Sequence, residues 1–318
     1  MIVALAGGVG AARLLEGMVD VVDPSSLVAV CNVADDMTHL GLHISPDIDT
    51  VTYTLAGLSN QVTGWGLADE TWTVMDALGR RGGEDWFRLG DKDLATHLYR
   101  SHRLAAGATL SQVTAEIGRA LGVPIRLLPV TDDPLATRVT LSPDSPVRAG
   151  EEVTFQEYFV RLAHAVPVAR LRFAGAERAT PAPGVLEAIE GAEAVVICPS
   201  NPLVSIGPLL AVAPVRAALE RRRESVVGVS PIIAGAAVKG PADRLLAELG
   251  HEPSARGVAA LYAPFVGTLV IDTADSPLAP AIEALGVRCV VAPTLMSDPA
   301  RAAALARTVL GAAGPGAR

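Results

Sequence analysis

Six short runs of branched apolar residues, spread along the chain, set the strongest limit on its fold. They are Ile2 to Ala6, Leu27 to Cys31, Ala194 to Cys198, Ser225 to Ser230, Thr268 to Asp272 and Val287 to Ala292. Their apolar residues are nearly continuous, so each reads as a strand buried on both faces. Amphipathic stretches lie between them: Val9 to Val19 after the first run, then Val215 to Arg222, Ala242 to Leu249 and Leu278 to Leu285. Buried strands alternating with helices predict an α/β fold, a Rossmann-like three-layer parallel sheet.

The middle of the chain breaks this rhythm. From about Glu70 to Leu121 the pattern is helical, with polar and aromatic residues mixed in. Asp69 or Glu70 starts one helix, Asp91 another and Ser111 a third, "SQVTAEIGRAL" being the clearest. Short extended pieces follow near Arg126 to Val130 and Thr137 to Leu141. The expected organisation is a core of residues 1–60 and 166–318, divided by a mainly helical insertion over 61–165. The closing "GAAGPGAR" is rich in Gly and Ala and is expected to fray.

Composition narrows the class. Among 318 residues, 50% are hydrophobic and only 4% aromatic, so a large core must be built from Ala, Val, Leu and Ile. The net charge of −8, with no basic tract, argues against nucleic acid as a partner. It leaves room for a phosphorylated ligand in a local amide-lined or basic pocket. Cys31, Cys198 and Cys289 are far apart and sit in apolar runs, which predicts buried free thiols in a reducing compartment. No basic region precedes the first apolar run and no apolar run has the length of a membrane span. The expectation is a soluble cytoplasmic protein without a membrane partner, its hydrophobic content compatible with a homodimer.

Four regions carry candidate chemistry. The turn Gly7-Gly8-Val9-Gly10 joins the first strand to the first helix, where backbone N–H groups can meet a phosphate. It is neither GxGxxG nor a Walker loop, so it also fits a tight turn without a ligand. The second region, "NVADDMTHLGLHISPDIDT" over residues 32–50, follows the second strand. Its aspartates Asp35, Asp36, Asp47 and Asp49 suit Mg²⁺ bound together with phosphate oxygens. Asp47 or Asp49 also fits the N-cap of the helix "TVTYTLAG", and His39 and His43 fit packing or hydrogen bonding better than ligation. The third comprises two later strand ends, "CPSNP" with Ser200, Asn201 and Pro202, and "VSPIIAG" with Ser230. Trp86, Phe87 and Arg88 stand together in an aromatic-poor chain, fit to stack a flat ligand and hold an anion, or to staple the next helix. No Ser–His–Asp or Cys–His arrangement is visible, so metal-assisted phosphoryl chemistry fits better than nucleophilic catalysis.

Taken in order, "ALAGGVGAARLLEGM", "NVADD", "ISPDIDTVTYTLAG", "GWGLADETW", "WFRLGDKDLATHLYR", "TDDP", "PSNPLVSIGP", "VSPIIAG" and "KGPADRLLAELG" resemble the 2-phospho-L-lactate transferases of coenzyme F-420 biosynthesis. The resemblance implies Mg²⁺, the deazaflavin Fo as acceptor and a guanosine diphosphate-activated three-carbon acid as donor. The ribityl hydroxyl of Fo attacks the phosphorus and GMP leaves. The acid is 2-phospho-L-lactate, phosphoenolpyruvate in actinobacterial relatives, or 3-phosphoglycerate in some other bacteria. By motif, Asp49 and Arg88 match Fo-binding positions, with Trp86 beside them in the insertion. Gly7, Gly8, Gly10, Ser200, Asn201 and Pro202 match the nucleotide side, to which Asn32 and Ser230 are added. Asp36 and Asp49 are the choices for metal and catalysis. The chain departs from many relatives at Met37-Thr38-His39, where an aromatic residue follows the Asp pair. The alternative is a nucleotide-sugar-binding regulator related to the gluconeogenesis factors; "WFRLGDKDLATH" and "DIDTVTYTLAG" favour the transferase. A nicotinamide oxidoreductase is disfavoured, because neither GxGxxG nor an acidic residue closing the second strand is present in its usual form.

Overall fold

The computed structural model describes residues 1–62 and 64–313. All six apolar runs form strands of one seven-stranded sheet in the order β14-β13-β10-β9-β1-β2-β5. They are β1 (Ile2–Ala6), β2 (Leu27–Cys31), β9 (Ala194–Ile197), β10 (Val226–Val229), β13 (Thr268–Ile271) and β14 (Arg288–Val291), and every pairing is parallel. In β1, β2, β9, β10 and β13 every residue is buried. Side chains alternate between faces, so both faces of the sheet are covered. Cys31 and Cys198 are buried free thiols, whereas Cys289 is half-buried because β14 is an edge strand.

The helices are α1 (Gly8–Val19), α2 (Pro46–Leu55), α3 (Thr73–Gly79), α4 (Asp93–Ala105), α5 (Leu110–Ala120), α6 (Val185–Gly191), α7 (Gly207–Ala211), α8 (Ala213–Arg221), α9 (Ala242–Glu248), α10 (Ala255–Tyr262), α11 (Ala279–Glu283) and α12 (Pro299–Ala312). Helix α1 packs between α2 and α12. Among the described residues no single helix is long and apolar enough to cross a membrane. Of the tail expected to fray, Gly311 and Ala312 end α12, and 314–318 lie outside the described residues.

The middle differs from the expected 61–165 insertion. The seventh strand, β5 (Arg126–Pro129), lies inside that range yet pairs with β2 at the sheet edge. Its apolar face packs on α5, so 126–129 belong to the core. The helical excursion ends before β5 and also holds a short hairpin, β3 (Met37–His39) with β4 (Leu42–Ile44). A second excursion follows, an antiparallel sheet of β6 (Ala136–Leu141), β7 (Glu152–Thr154) and β8 (Val168–Ala174), which crosses the expected boundary at 165/166. It has its own apolar core around Val139, Leu141, Val153 and Tyr158. A further small hairpin pairs β11 (Ile232–Ile233) with β12 (Ala236–Ala237).

Two helix starts in the first excursion are capped crosswise. The Glu70 carboxylate accepts from Lys92 N and Asp93 N, both at 2.8 Å, and so caps α4. Asp91 accepts from Thr73 N at 3.0 Å and Val74 N at 3.1 Å, and so caps α3. The acids expected to start helices in their own segments thus cap each other's. Helix α5 begins one residue before the expected Ser111, on a capping box between Thr109 and Gln112.

Helix α1 sits close to its neighbours because of glycine. A methyl group on Gly17 would lie 2.7 Å from Ala303 N and would strike the Ala302 carbonyl. Gly17→Ala should therefore cost about 1–3 kcal/mol through overpacking. Urea unfolding should show a lower midpoint with an unchanged slope; an unchanged midpoint would mean that α12 moves aside freely.

Candidate active site

Parallel register brings three strand ends together. Asn32 N donates to the Ala6 carbonyl at 2.9 Å, and Cys198 N to the Leu5 carbonyl at 3.1 Å. The residues after β1, β2 and β9 therefore emerge side by side, at the point where the strand order reverses and where open α/β sheets bind ligands. Gly7, at the turn, lies close to Ser205 and Asp47, and a methyl group there would sit 2.7 Å from the Ser205 Cβ. Gly8 has φ +70, a conformation that glycine adopts without strain. A methyl group on Gly10 would run into the Pro199 carbonyl oxygen. The Ser200 hydroxyl donates to the Gly7 carbonyl at 2.8 Å. Asn201 caps the helical turn Pro202–Ile206 through bonds from Leu203 N and Val204 N. Ser230 bonds within its own turn, to the Ile232 backbone. It follows β10, which pairs in parallel with the β9 strand that precedes Ser200.

The aspartate loop divides into two buried groups. Asn32 is fully buried and donates to Asp47 Oδ2 at 2.9 Å. Asp36 accepts from the Ser45 hydroxyl at 2.7 Å and lies 3.0 Å from His43 Nε2. Asp35 Oδ1 and Asp36 Oδ1 are buried without a hydrogen-bond partner. Burial pushes all three carboxyls upward. For Asp35 the nearby charges of Asp47 and Asp36 add to it; for Asp36 the bond and charge of His43 oppose it. For Asp47 burial dominates, the Asn32 bond resists, Asp36 adds, and the carboxyl reaches about 6. Helix α2 starts at Pro46, so Asp47 and Asp49 lie inside its first turn and neither is its N-cap.

Asp49 belongs to the second group. Both its oxygens accept from Arg100 of α4, Oδ2 at 3.0 Å and Oδ1 in a closer contact. Arg100 is only 1% exposed. Its Nη1 lies 3.2 Å from His97 Nδ1, His97 Nε2 lies 3.0 Å from Asp93, and the Tyr53 hydroxyl donates to Asp93 at 2.6 Å. Burial works against the Arg100 charge, and the paired Asp49 outweighs it. Asp49, Asp93 and His97 bring three ligand atoms within 4.8 Å of one another. The arginine already supplies their cation. Asp36 and Asp49, expected to share a metal, thus lie in separate hydrogen-bonded groups.

A cavity of about 930 Å³ opens beside the first group. Asp35, Asp36, His39 and Trp86 line it, together with parts of α5 and the small sheet. His39 meets Trp86 and Phe87 edge-on, with ring centroids 5.4 and 5.8 Å away. Burial lowers the His39 pKa, so the ring is neutral near pH 7. It supplies an aromatic face in the segment Met37-Thr38-His39. Arg161 stands over the Trp86 ring at 5.8 Å. Arg88 is elsewhere: half-exposed, it pairs with Asp76 at 2.7 Å and lies over Trp72 at 5.1 Å. The cavity lining includes neither Arg88, Asp49, the glycine turn nor Ser200, Asn201, Pro202 and Ser230.

Residues 2–284 match the model of the family 2-phospho-L-lactate transferase CofD. The chain belongs to this family. It is a transferase of the 2-phospho-L-lactate type, in coenzyme F-420 biosynthesis. A protein of Kitasatospora aureofaciens named phosphoenolpyruvate transferase is 46% identical over 97% of this chain and 96% of its own. Others of that name from Streptomyces coelicolor and Thermobifida fusca are 42% and 44% identical, over 97% and 96% of this chain and 97% and 95% of their own. A solved UPF0052 family protein from Bacillus halodurans superposes with a TM-score of 0.62 over 97% of this chain and 98% of its own. At 15% identity that likeness is one of fold.

Of the family's motif positions, Asp36 and Trp86 reach the cavity, and the glycine turn sits at the adjoining strand ends. Sequence reasoning placed Asp35 in the carboxylate cluster without choosing it as a ligand, and missed Arg100 as the partner of Asp49 and Arg138, Arg161 and Arg178 in the cavity lining. The signal for Arg100 was the run "DLATHLYR", whose helical spacing sets Asp93, His97 and Arg100 on one face of α4.

Two predictions concern these charges. Arg100→Met strands a buried carboxylate and should cost about 3–5 kcal/mol in denaturant unfolding. Adding Asp49→Leu should recover most of the loss, and a double variant as unstable as the single one would overturn the pairing. The second concerns pH. Asp35, Asp36 and Asp47 bind protons more tightly in the folded chain than in the unfolded one. Their contribution to stability is therefore complete below about pH 4 and is lost as pH rises through the folded values, near 6 for Asp47. Asp47→Asn should flatten that decline in metal-free buffer, measured as unfolding free energy on either side of about pH 6.

Proposed function

We propose that this enzyme transfers a phosphoenolpyruvyl group from its guanosine diphosphate-activated form to the ribityl hydroxyl of Fo, releasing GMP. The observation that carries this reading is end-to-end likeness, at 40–46% identity, to proteins named phosphoenolpyruvate transferase. The cavity has the volume for a flat acceptor and a short acid chain, and its aromatic wall of His39 and Trp86 supports stacking of a deazaflavin ring. The glycine turn and Ser200-Asn201-Pro202 are read as the nucleotide side, next to the strand ends.

In the reaction the ribityl oxygen forms a bond to the phosphorus that bears the acid, and the bond from that phosphorus to the GMP oxygen breaks. The hydroxyl proton passes to one carboxylate of this group, and Asp47, beside the glycine turn and with a carboxyl raised to about 6 by burial, suits that role. Two orphaned buried carboxylate oxygens, Asp35 Oδ1 and Asp36 Oδ1, fit a hard divalent cation. Asp36 and Asp35 would hold Mg²⁺, which when bound offsets charge on the phosphoryl oxygens. Asp49 is better read as the anchor of Arg100 than as a ligand. Arg88, in its Asp76 pair, suits a role in fixing the insertion.

Mass spectrometry of reactions holding Fo and each GDP-linked acid in turn tests the reading. The expected products are GMP and an Fo adduct of enolpyruvyl phosphate. Faster transfer of phospholactate would replace the donor assignment, and no adduct with any acid would refute the reaction. Calorimetric titration with Mg²⁺ tests the metal. Asp36→Asn should weaken binding at least tenfold, while Asp49→Asn should leave it near the parent value. The reverse result would restore Asp49 as the ligand.

A further inference from the structure

The cavity lining carries both signs of charge. From the end of β2 come Asp35 and Asp36, each with an unpartnered buried oxygen. From the small sheet come Arg138 on β6 and, just past β8, Arg178. Arg138 is in register with Thr154 of β7, which also lines the cavity.

The carboxylates around this wall are already engaged. Glu152 accepts from Arg172 at 2.6 and 2.5 Å. Glu157 accepts from Arg148 at 3.1 Å and from Thr154. Both bonds from Thr180 go to Asp133 Oδ2, and both from Ser111 go to Asp132. Among the described residues no close ion pair or hydrogen bond holds the Arg138 guanidinium; the charge of Glu152 acts on it only from a distance, since that carboxylate is bonded to Arg172, the register partner of Arg138. Arg178 has only Glu177, at 3.6 Å, between exposed side chains.

An anion entering this cavity meets two unlike surfaces. The buried carboxylates repel it unless a cation intervenes, which suits a diphosphate and its metal. A second anionic group on the same molecule must find its counter-charge elsewhere in the lining. A guanidinium offers a planar fork that matches a carboxylate with two parallel bonds. We propose that Arg138, supported by Arg178, is the subsite that recognises the carboxylate of the three-carbon acid on the donor. This assignment rests on the transfer reaction proposed above and adds a specificity-determining residue to it.

Calorimetry without Fo tests it, comparing GDP with GDP-linked phosphoenolpyruvate. The parent enzyme should bind the acid-linked ligand more tightly. Arg138→Gln should lose about tenfold to a hundredfold of that advantage while GDP affinity stays within about twofold. Arg138→Lys should fall between, because it keeps the charge and loses the fork. Thermal unfolding checks that each variant is folded, and Arg178→Gln, at an exposed position, gives a second variant with a smaller loss in the same direction. If Arg138→Gln keeps the full advantage, or loses GDP affinity equally, the subsite is not there. If the parent enzyme binds neither ligand, the transfer reaction itself fails, a result separable from the first.

Discussion

The close seating of α1 is the constraint on which this molecule turns. Its backbone lies against Pro199 at one end and Ala302 at the other, at distances that only glycine permits. That seating places α2 and α12 against α1, beside a β1 that pairs with β2 and β9. It also presses the glycine turn onto Ser205 and Asp47, so the turn and the first carboxylate group form one packed unit. Phosphate-binding turns and tightly packed turns use glycine for the same reason, the absence of a side chain where backbone must come close.

The second consequence is electrostatic. Four aspartates lie at one end of the sheet, three of them almost wholly removed from water. Burying a carboxylate is costly unless it is paired or neutralised. The chain resolves this in two ways. Asp49 receives a buried arginine, which ties α2 to α4 and so anchors the helical excursion to the core. Asp35, Asp36 and Asp47 receive amide, hydroxyl and imidazole partners, and their proton affinity rises. The result is one ion-paired anchor and one group of carboxyls with raised proton affinity, a few residues apart in sequence.

The excursions from the sheet then shape the cavity beside Asp35 and Asp36. Crosswise caps by Glu70 and Asp91 lock α3 and α4 together and hold the Trp86 segment between them. The small antiparallel sheet supplies the arginine-bearing wall. His39 packs edge-on against Trp86, and burial lowers its pKa and favours the neutral ring in that contact.

The core strands and first helices were legible in the sequence, since their periodicity is local and their burial is recorded in residue type. The glycine turn, the carboxylate loop, Trp86 and the family itself were likewise visible as contiguous motifs. What sequence could not assign was pairing across distance. Arg126–Pro129 looks like one more short extended piece, and only its register with β2 makes it core. Asp47 and Asp49 look alike, yet α2 turns one toward Asn32 and the other toward an arginine that lies 51 residues away. Glu70 and Asp91 each look like a local cap, and tertiary packing exchanges their helices. Arg138 carries no motif at all; its place beside the carboxylates comes from the cavity that several distant segments enclose. Local propensity is written residue by residue, whereas the partner of a buried charge is decided by which distant surface arrives beside it.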